Sequence, residues 1–403
     1  MSEAGSVVDV APRRAGTAPT PASASRGWRV PLACALAALA AAGSTVAASL
    51  ARQSWDTSAL VRMYAGFPLS RLAVHDDPGF RLRYTSGFYD GAFFYAQARD
   101  PLATGQAHRL LPQPSYYWGH PGYGWTAWLA SVGGHPSAVP DALLAVGLLS
   151  IAVAAAAASL LAGALGWTPW GGLTVAVNPG ILFAVANDTS ESLGAALLLA
   201  GLLAYTRGRR GWALALLAAL CFVKEPLALV PLALAAWELR RRRSPFVALA
   251  VLPVAVWWTY LRIHLGAFPF GQGSSRLGPP VEGWWRAALD AASQSWSAGV
   301  DTSQLGQAAV PLIVGTALAV VVVAVYALRL RSVADAPYLA LFAVYACIAS
   351  IGVEYPKDLI RELALVLALL PFVLAARPTP TGEPAFSHTR PRARPPAARP
   401  RGS

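Results

Sequence analysis

The stretch that decides the fold runs from Arg207 to Arg243, RGRRGWALALLAALCFVKEPLALVPLALAAWELRRRR. A single crossing here would leave one arginine cluster on each face of a bilayer, against the tendency of basic residues to stay on the cytoplasmic side. The centre of the run reads Val223-Lys224-Glu225-Pro226. Charges at mid-depth cost about 2.5 to 3.5 kcal/mol each on insertion scales, and proline removes a helical hydrogen bond. A hairpin resolves both conflicts. Two short helices, 211 to 222 and 227 to 239, carry the chain in and back and keep every arginine at one end. They leave Lys224 and Glu225 at a tip, where a broken helix is tolerated if buried in protein or lining a cavity.

Working outward, the remaining chain has the same character. Of 403 residues, 55% are hydrophobic and 13% charged, about half the charge of a soluble domain, so soluble classes are excluded. Apolar runs lie at 30 to 50, 140 to 165, 168 to 187, 191 to 206, 245 to 264, 308 to 330, 336 to 352 and 359 to 376. Several approach the roughly 20 residues a crossing helix needs. With the hairpin counted as a pair, the sequence predicts an all-α, polytopic transmembrane helical bundle of about ten membrane segments.

The net charge of +12 gathers at the ends of apolar segments and in the tails. That is a topology signal, with the lipid bilayer as partner and no nucleic acid implied. Residues 1 to 28 and 377 to 403 are rich in Pro, Ala and Arg and read as disordered basic cytoplasmic arms flanking a transmembrane domain over 30 to 376. Val30 to Leu50 could be a signal peptide, but its long leading arm and near-full span favour an uncleaved anchor. Cys34, Cys221 and Cys347 each lie inside an apolar run and read as packing residues.

This topology collects the acidic residues on the extracytoplasmic face of a multi-pass cell-membrane protein. That face receives the long first loop 51 to 139, the turn Asn187-Asp188-Thr189-Ser190-Glu191, the tip Lys224-Glu225, the loop 265 to 307 and the turn Glu354-Tyr355-Pro356-Lys357-Asp358. Ionisable groups near membrane depth usually mark a site, although Asp188, Glu354 and Asp358 also fit plain helix-capping roles.

In the first loop, Tyr89-Asp90-Gly91 precedes Phe93, Phe94, Tyr95 and Gln97, which predicts a helix lying along the interface with Asp90 at its start, a credible general base. Downstream, Tyr116, Tyr117, Trp118, His120, Tyr123, Trp125 and Trp128 have the rings and polar edges of either a sugar-stacking surface or an interfacial belt. His75, His108, His120 and His135 share the loop without a zinc-ligand spacing. Lys224 and Glu225 could neutralise each other, and Arg361 could form a local pair with Asp358 or Glu362 of little energetic consequence.

One N-terminal span, a long loop carrying Tyr89-Asp90-Gly91-Ala92-Phe93-Phe94-Tyr95-Ala96 and a later hairpin with a charged tip together resemble the GT-C superfamily of polytopic glycosyltransferases, over roughly residues 30 to 376. The resemblance implies transfer of a sugar from a polyprenyl-phosphate donor to an envelope acceptor outside the membrane. It makes Asp90 the catalytic base or acceptor-orienting residue and Lys224 and Arg361 the cations on the donor phosphate. Asp76, Asp77, Asp188, Glu191 and Glu225 become positioning residues. It allows a divalent cation between Asp90 and a phosphate, which no residue spacing demands. The chain departs from the family's pattern in its single loop Asp followed by Gly91 and in lacking a large C-terminal soluble domain. Two other classes stay open: a lipid or solute transporter with its site at the broken hairpin, and a non-catalytic envelope-assembly protein.

Overall fold

The computed structural model describes residues 27–82, 88–272, 278–293, 306–347 and 356–375. Both tails beyond residue 26 and residue 375 lie outside the described residues, as does Glu354 and the side chain of Asp358. Every regular element among the described residues is a helix. The principal ones are α1 (Arg29–Leu50), α2 (Pro68–Asp76), α3 (Gly91–Arg99), α4 (Gly122–Ala130), α5 (Val139–Ala164), α6 (Pro179–Val185), α7 (Glu191–Thr206) and α8 (Arg210–Cys221). They continue as α9 (Leu229–Arg240), α10 (Leu252–Leu265), α11 (Glu282–Ser293), α12 (Gly306–Ala327), α13 (Asp335–Ala346), α14 (Pro356–Glu362) and α15 (Ala364–Ala375).

Three helical stretches, Arg29–Gln53, Pro136–Ala164 and Phe246–Leu265, are long and apolar enough to cross a membrane. Their outward faces are apolar as well. Leu32 and Leu36 on α1, Leu149 and Val153 on α5, and Val256 and Ile263 on α10 are all exposed. A surface helix of a water-soluble protein would carry polar residues there; apolar outward faces are what helices of a membrane protein present. α1 buries Cys34, Ala38, Ala42 and Val46, a fourfold-spaced stripe of mostly small side chains that lets its backbone approach α5. α7 packs against both α5 and α8.

The run from 207 to 243 is broken as its charges and proline require. α8 ends at Cys221, a short 3-10 turn covers Glu225–Ala228, and α9 leads away from it. The two arginine-bearing ends come together: Arg210 lies over the Phe246 ring at 5.3 Å, just beyond the cluster that follows α9. Cysteines placed at Arg207 and Arg243 in otherwise cysteine-free chain are therefore expected to react with an impermeant maleimide from one and the same side of the membrane. Labelling from opposite sides would contradict the hairpin.

Two other runs depart from single crossings. Residues 168 to 187 do not form one helix, because Asn178 accepts hydrogen bonds from the Gly180 and Ile181 N–H groups (3.1 and 3.2 Å) and starts α6 afresh with Pro179 in its first turn. Its amide also donates to the Ala364 carbonyl at 2.9 Å, tying this break to the start of α15. The last run is likewise interrupted at Leu363, between α14 and α15.

The first loop is a folded unit with its own core. The expected interfacial helix is instead buried: every residue of α3 from Gly91 to Ala98 is enclosed. The rings downstream are neither a belt nor an open stacking surface, since Tyr117, Trp118 and Tyr123 are core side chains. Their polar edges are used internally. Trp118 donates to the Asp100 carbonyl (2.8 Å) and Tyr123 to the Leu143 carbonyl (2.7 Å). From α10, Trp257 and Trp258 donate to the carbonyls of Trp118 (2.7 Å) and Gly119 (2.9 Å), fastening the loop to a membrane-length helix. Amphipathic rings satisfy both a core and its hydrogen-bond needs, which is why ring density alone did not separate core from surface.

Candidate functional site

Asp90 precedes the first residue of α3, and Gly91 explains why the chain can place it there. A Cβ at Gly91 would sit 3.0 Å from the carbonyl oxygens of both Asn187 and Val61, so only glycine lets the start of α3 press against the turn before α7. Both neighbours are backbone and cannot swing aside. Gly91→Ala is expected to displace Asp90 and lower stability by about 1 to 3 kcal/mol, read as earlier thermal unfolding of the detergent-solubilised chain; an unchanged transition would disprove the close-approach argument.

Around Asp90 the structure gathers three of the other site residues singled out above, together with Glu362. Arg361, near the end of α14, donates to the Asp90 carboxylate and, at 2.8 Å, to Glu362. Glu191, the first residue of α7, lies 3.8 Å from Arg361 and accepts from the Lys224 ammonium at 3.0 Å, while Glu362 accepts from the same ammonium at 2.7 Å. Two cations thus meet three carboxylates contributed by α3, α7, the hairpin tip and α14. Arg361 and Glu191 are almost fully enclosed, but the Asp90 side chain keeps 28% and Lys224 17% of its exposure, so the cluster has an open side at which a ligand could compete.

Glu225 faces the other way. Its carboxylate oxygen lies 2.6 Å from His120 Nδ1, while the Lys224 ammonium is bonded to Glu191 and Glu362, so the two neighbours serve different partners. The tip is held to the first loop a second time, where the Gly122 N–H donates to the Phe222 carbonyl at 2.7 Å. Tyr89 is flanked by two guanidinium groups, Arg62 at 5.7 Å and Arg361 at 5.1 Å from its ring centre. Asp188 is fully buried in a left-handed backbone conformation (φ 48°), and neither of its carboxyl oxygens accepts a hydrogen bond among the described residues. It belongs to the turn that leads into Glu191 rather than to the ion cluster.

Asp76 and Asp77 are not part of the site. Asp76 pairs with Arg99 across α2 and α3, and Asp77 accepts from the Gly79 N–H at 3.0 Å in a local turn. The alternative reading of Arg361, a local pair with Glu362 of little consequence, does not allow for its enclosure: a buried pair that loses one partner leaves an uncompensated charge. Glu362 and His120 are the members that the sequence did not mark as site residues, Glu362 because it reads as one end of a local pair and His120 because its partner lies 105 positions away.

Elsewhere in the loop, His108 contacts Asp100 at 2.8 Å. Burial pushes the Asp100 carboxyl up, but this contact and the N–H groups of Gly105 and His108 outweigh it and hold the group below its ordinary value. The His135 ring contacts the Ser137 hydroxyl at 3.2 Å. Among the described residues no group of three or more His, Cys, Asp or Glu side chains is placed to hold a metal ion.

Fold and site together define an all-helical protein with membrane-length apolar helices and a partly open ion cluster beside a folded loop. Comparison with protein-family models, with curated proteins and with solved structures finds no match.

Proposed function

We propose that the chain is a membrane glycosyltransferase of GT-C type, moving a sugar from a polyprenyl-phosphate donor to an envelope acceptor outside the membrane. About ten membrane segments place both tails in the cytoplasm and the ion cluster on the extracytoplasmic side. The observation that carries this reading is the meeting of Asp90, Lys224 and Arg361, from distant parts of the chain, at one partly open cluster. α8 and α9 have 12 residues each, which rise about 18 Å, short of the roughly 30 Å hydrocarbon core. The tip would therefore end short of the far surface, and its contacts with the first loop at His120 and Gly122 make it a sheltered place for a lipid-borne phosphate.

The proposed reaction is a displacement at the anomeric carbon. The acceptor oxygen forms the new bond, its proton passes to Asp90, and the bond to the phosphate oxygen breaks with its electron pair leaving on the lipid phosphate. Lys224 and Arg361 stabilise that charge. Donor binding also prepares the base: a phosphate competes with Asp90 for Arg361, and a carboxylate released from a guanidinium becomes more basic. Glu191 and Glu362 hold the two cations in place, and no step requires a metal.

The test is transfer of label from polyprenyl-phosphate sugars to endogenous acceptors, comparing membranes with and without the chain. Chain-dependent incorporation supports the reading. Its absence with every donor class tried, when the protein is inserted, refutes it and favours the transporter reading, to which the buried Asp188 lends weight because unpaired intramembrane carboxyls commonly carry protons.

A further inference from the structure

The end of the hairpin opposite Lys224 carries a second concentration of charge that the proposed reaction does not use. Three turns meet there: 207 to 210 between α7 and α8, 240 to 243 after α9, and 328 to 331 between α12 and α13. They are joined through buried side chains. The Tyr205 hydroxyl donates to Glu238 at 3.0 Å, and its ring lies 6.4 Å from both Trp237 and Phe246. Trp237 Nε1 and Arg241 Nη2 both donate to the Leu330 carbonyl, each at 3.4 Å.

Three exposed arginines, one from each turn, are backed by aromatic rings. Arg241 lies 4.1 Å from the centre of Trp237, Arg210 5.3 Å from Phe246 and Arg329 4.8 Å from Tyr326. Stacking restrains a guanidinium while leaving its in-plane N–H groups free to bind an oxyanion. The nearby carboxylates lie beneath this surface rather than on it. Glu238 and Asp335 are buried, and Asp335 is committed to the N–H groups of Arg331 (2.6 Å) and Ser332 (2.7 Å). Directly beside the arginines, Trp212, Leu239 and Leu328 are exposed. An orientation signal needs only charge. Ring-backed guanidinium groups above an apolar skirt match one kind of partner, a molecule with an anionic head and hydrocarbon tails.

We propose that these three turns form a binding site for an anionic phospholipid, its phosphate held by Arg210, Arg241 and Arg329 and its acyl chains lying against Trp212, Leu239 and Leu328. The proposal is independent of the glycosyltransferase reading. The test uses the full chain reconstituted with equal phosphatidylglycerol and phosphatidylcholine, re-extracted in mild detergent, with retained lipid quantified by mass spectrometry. Phosphatidylglycerol is expected to be retained in preference, and excess inorganic phosphate is expected not to displace it. Replacing the three arginines by glutamine is expected to erase the preference, at about fivefold per arginine. Replacement by lysine keeps the charge and the orientation signal and is expected to weaken retention, because lysine cannot stack as a planar fork. Equal retention of the two lipids, displacement by inorganic phosphate, or undiminished preference in the lysine variant would each overturn the proposal, the last even if the glutamine variant fails to insert.

Discussion

Lys224→Met is expected to destabilise the protein by about 3 to 5 kcal/mol, the range found when one partner of a buried ion pair is removed. The ammonium is the hydrogen-bond partner of both Glu191 and Glu362, two side chains enclosed within the fold. Without it, Arg361 alone faces three carboxylates. Burial of the methionine offsets part of the loss, since the stem of the lysine is already packed. The diagnostic comparison is Lys224→Met with Glu191→Gln added: removing one negative charge should restore much of the lost stability, measured as retained monodisperse protein after heating in detergent. If the double variant is no better than the single, Lys224 acts through packing and the ion network is not what holds the tip.

Asp90→Asn has the opposite profile. The cluster has one carboxylate more than it has cations, so neutralising Asp90 balances it and should leave insertion and thermal stability close to wild type. Sugar transfer, however, should fall by about 10²- to 10⁴-fold, the usual contribution of a positioned general base. Asp90→Glu should recover little, because α3 is enclosed along its length and the close approach at Gly91 leaves no room to withdraw a longer side chain. Transfer by Asp90→Asn at the wild-type rate would remove Asp90 from the reaction and leave it as a plain partner of Arg361.

Much of this arrangement is legible in the sequence, for a physical reason. Charges and prolines inside apolar runs are costly wherever they fall, so Val223-Lys224-Glu225-Pro226 marks a break, and the arginines around it fix which ends meet. The same cost makes Lys224 conspicuous, while Asp90 stands at the head of an aromatic helix, Glu191 in a polar turn, and Arg361 was singled out by the family resemblance; the structure brings these four together. What one-dimensional reading could not separate was buried from interfacial aromatic sequence. Phe93, Phe94 and Tyr95 suit either place, and only their packing against α4 and α5 shows that α3 is enclosed. The division of residues 168 to 187 was not read either: Asn178 acts as a cap only through two backbone N–H groups that meet it in space.

One signal went unused. Of the 32 basic residues, only Lys224 and Lys357 are lysines, and a rare ammonium at a hairpin tip fits its two-carboxylate contact, where a compact point charge with rotatable donors serves better than a planar fork. Asp76 and Asp77 illustrate the converse error. Asp77 serves a local turn and Asp76 pairs with an arginine 23 positions away, uses that the family resemblance gave no means to anticipate.

The order in which the ion cluster receives its members bears on how the protein is made. Asp90, Glu191 and Lys224 leave the ribosome well before Arg361 and Glu362, so through most of translation the growing chain holds a carboxylate at residue 90 whose guanidinium partner has not been synthesised. Arrival of α14 supplies that partner and closes the cluster in one step. A chain stalled or cleaved ahead of residue 356 would carry Lys224 and Glu191 without the Arg361 and Glu362 side chains that complete the cluster.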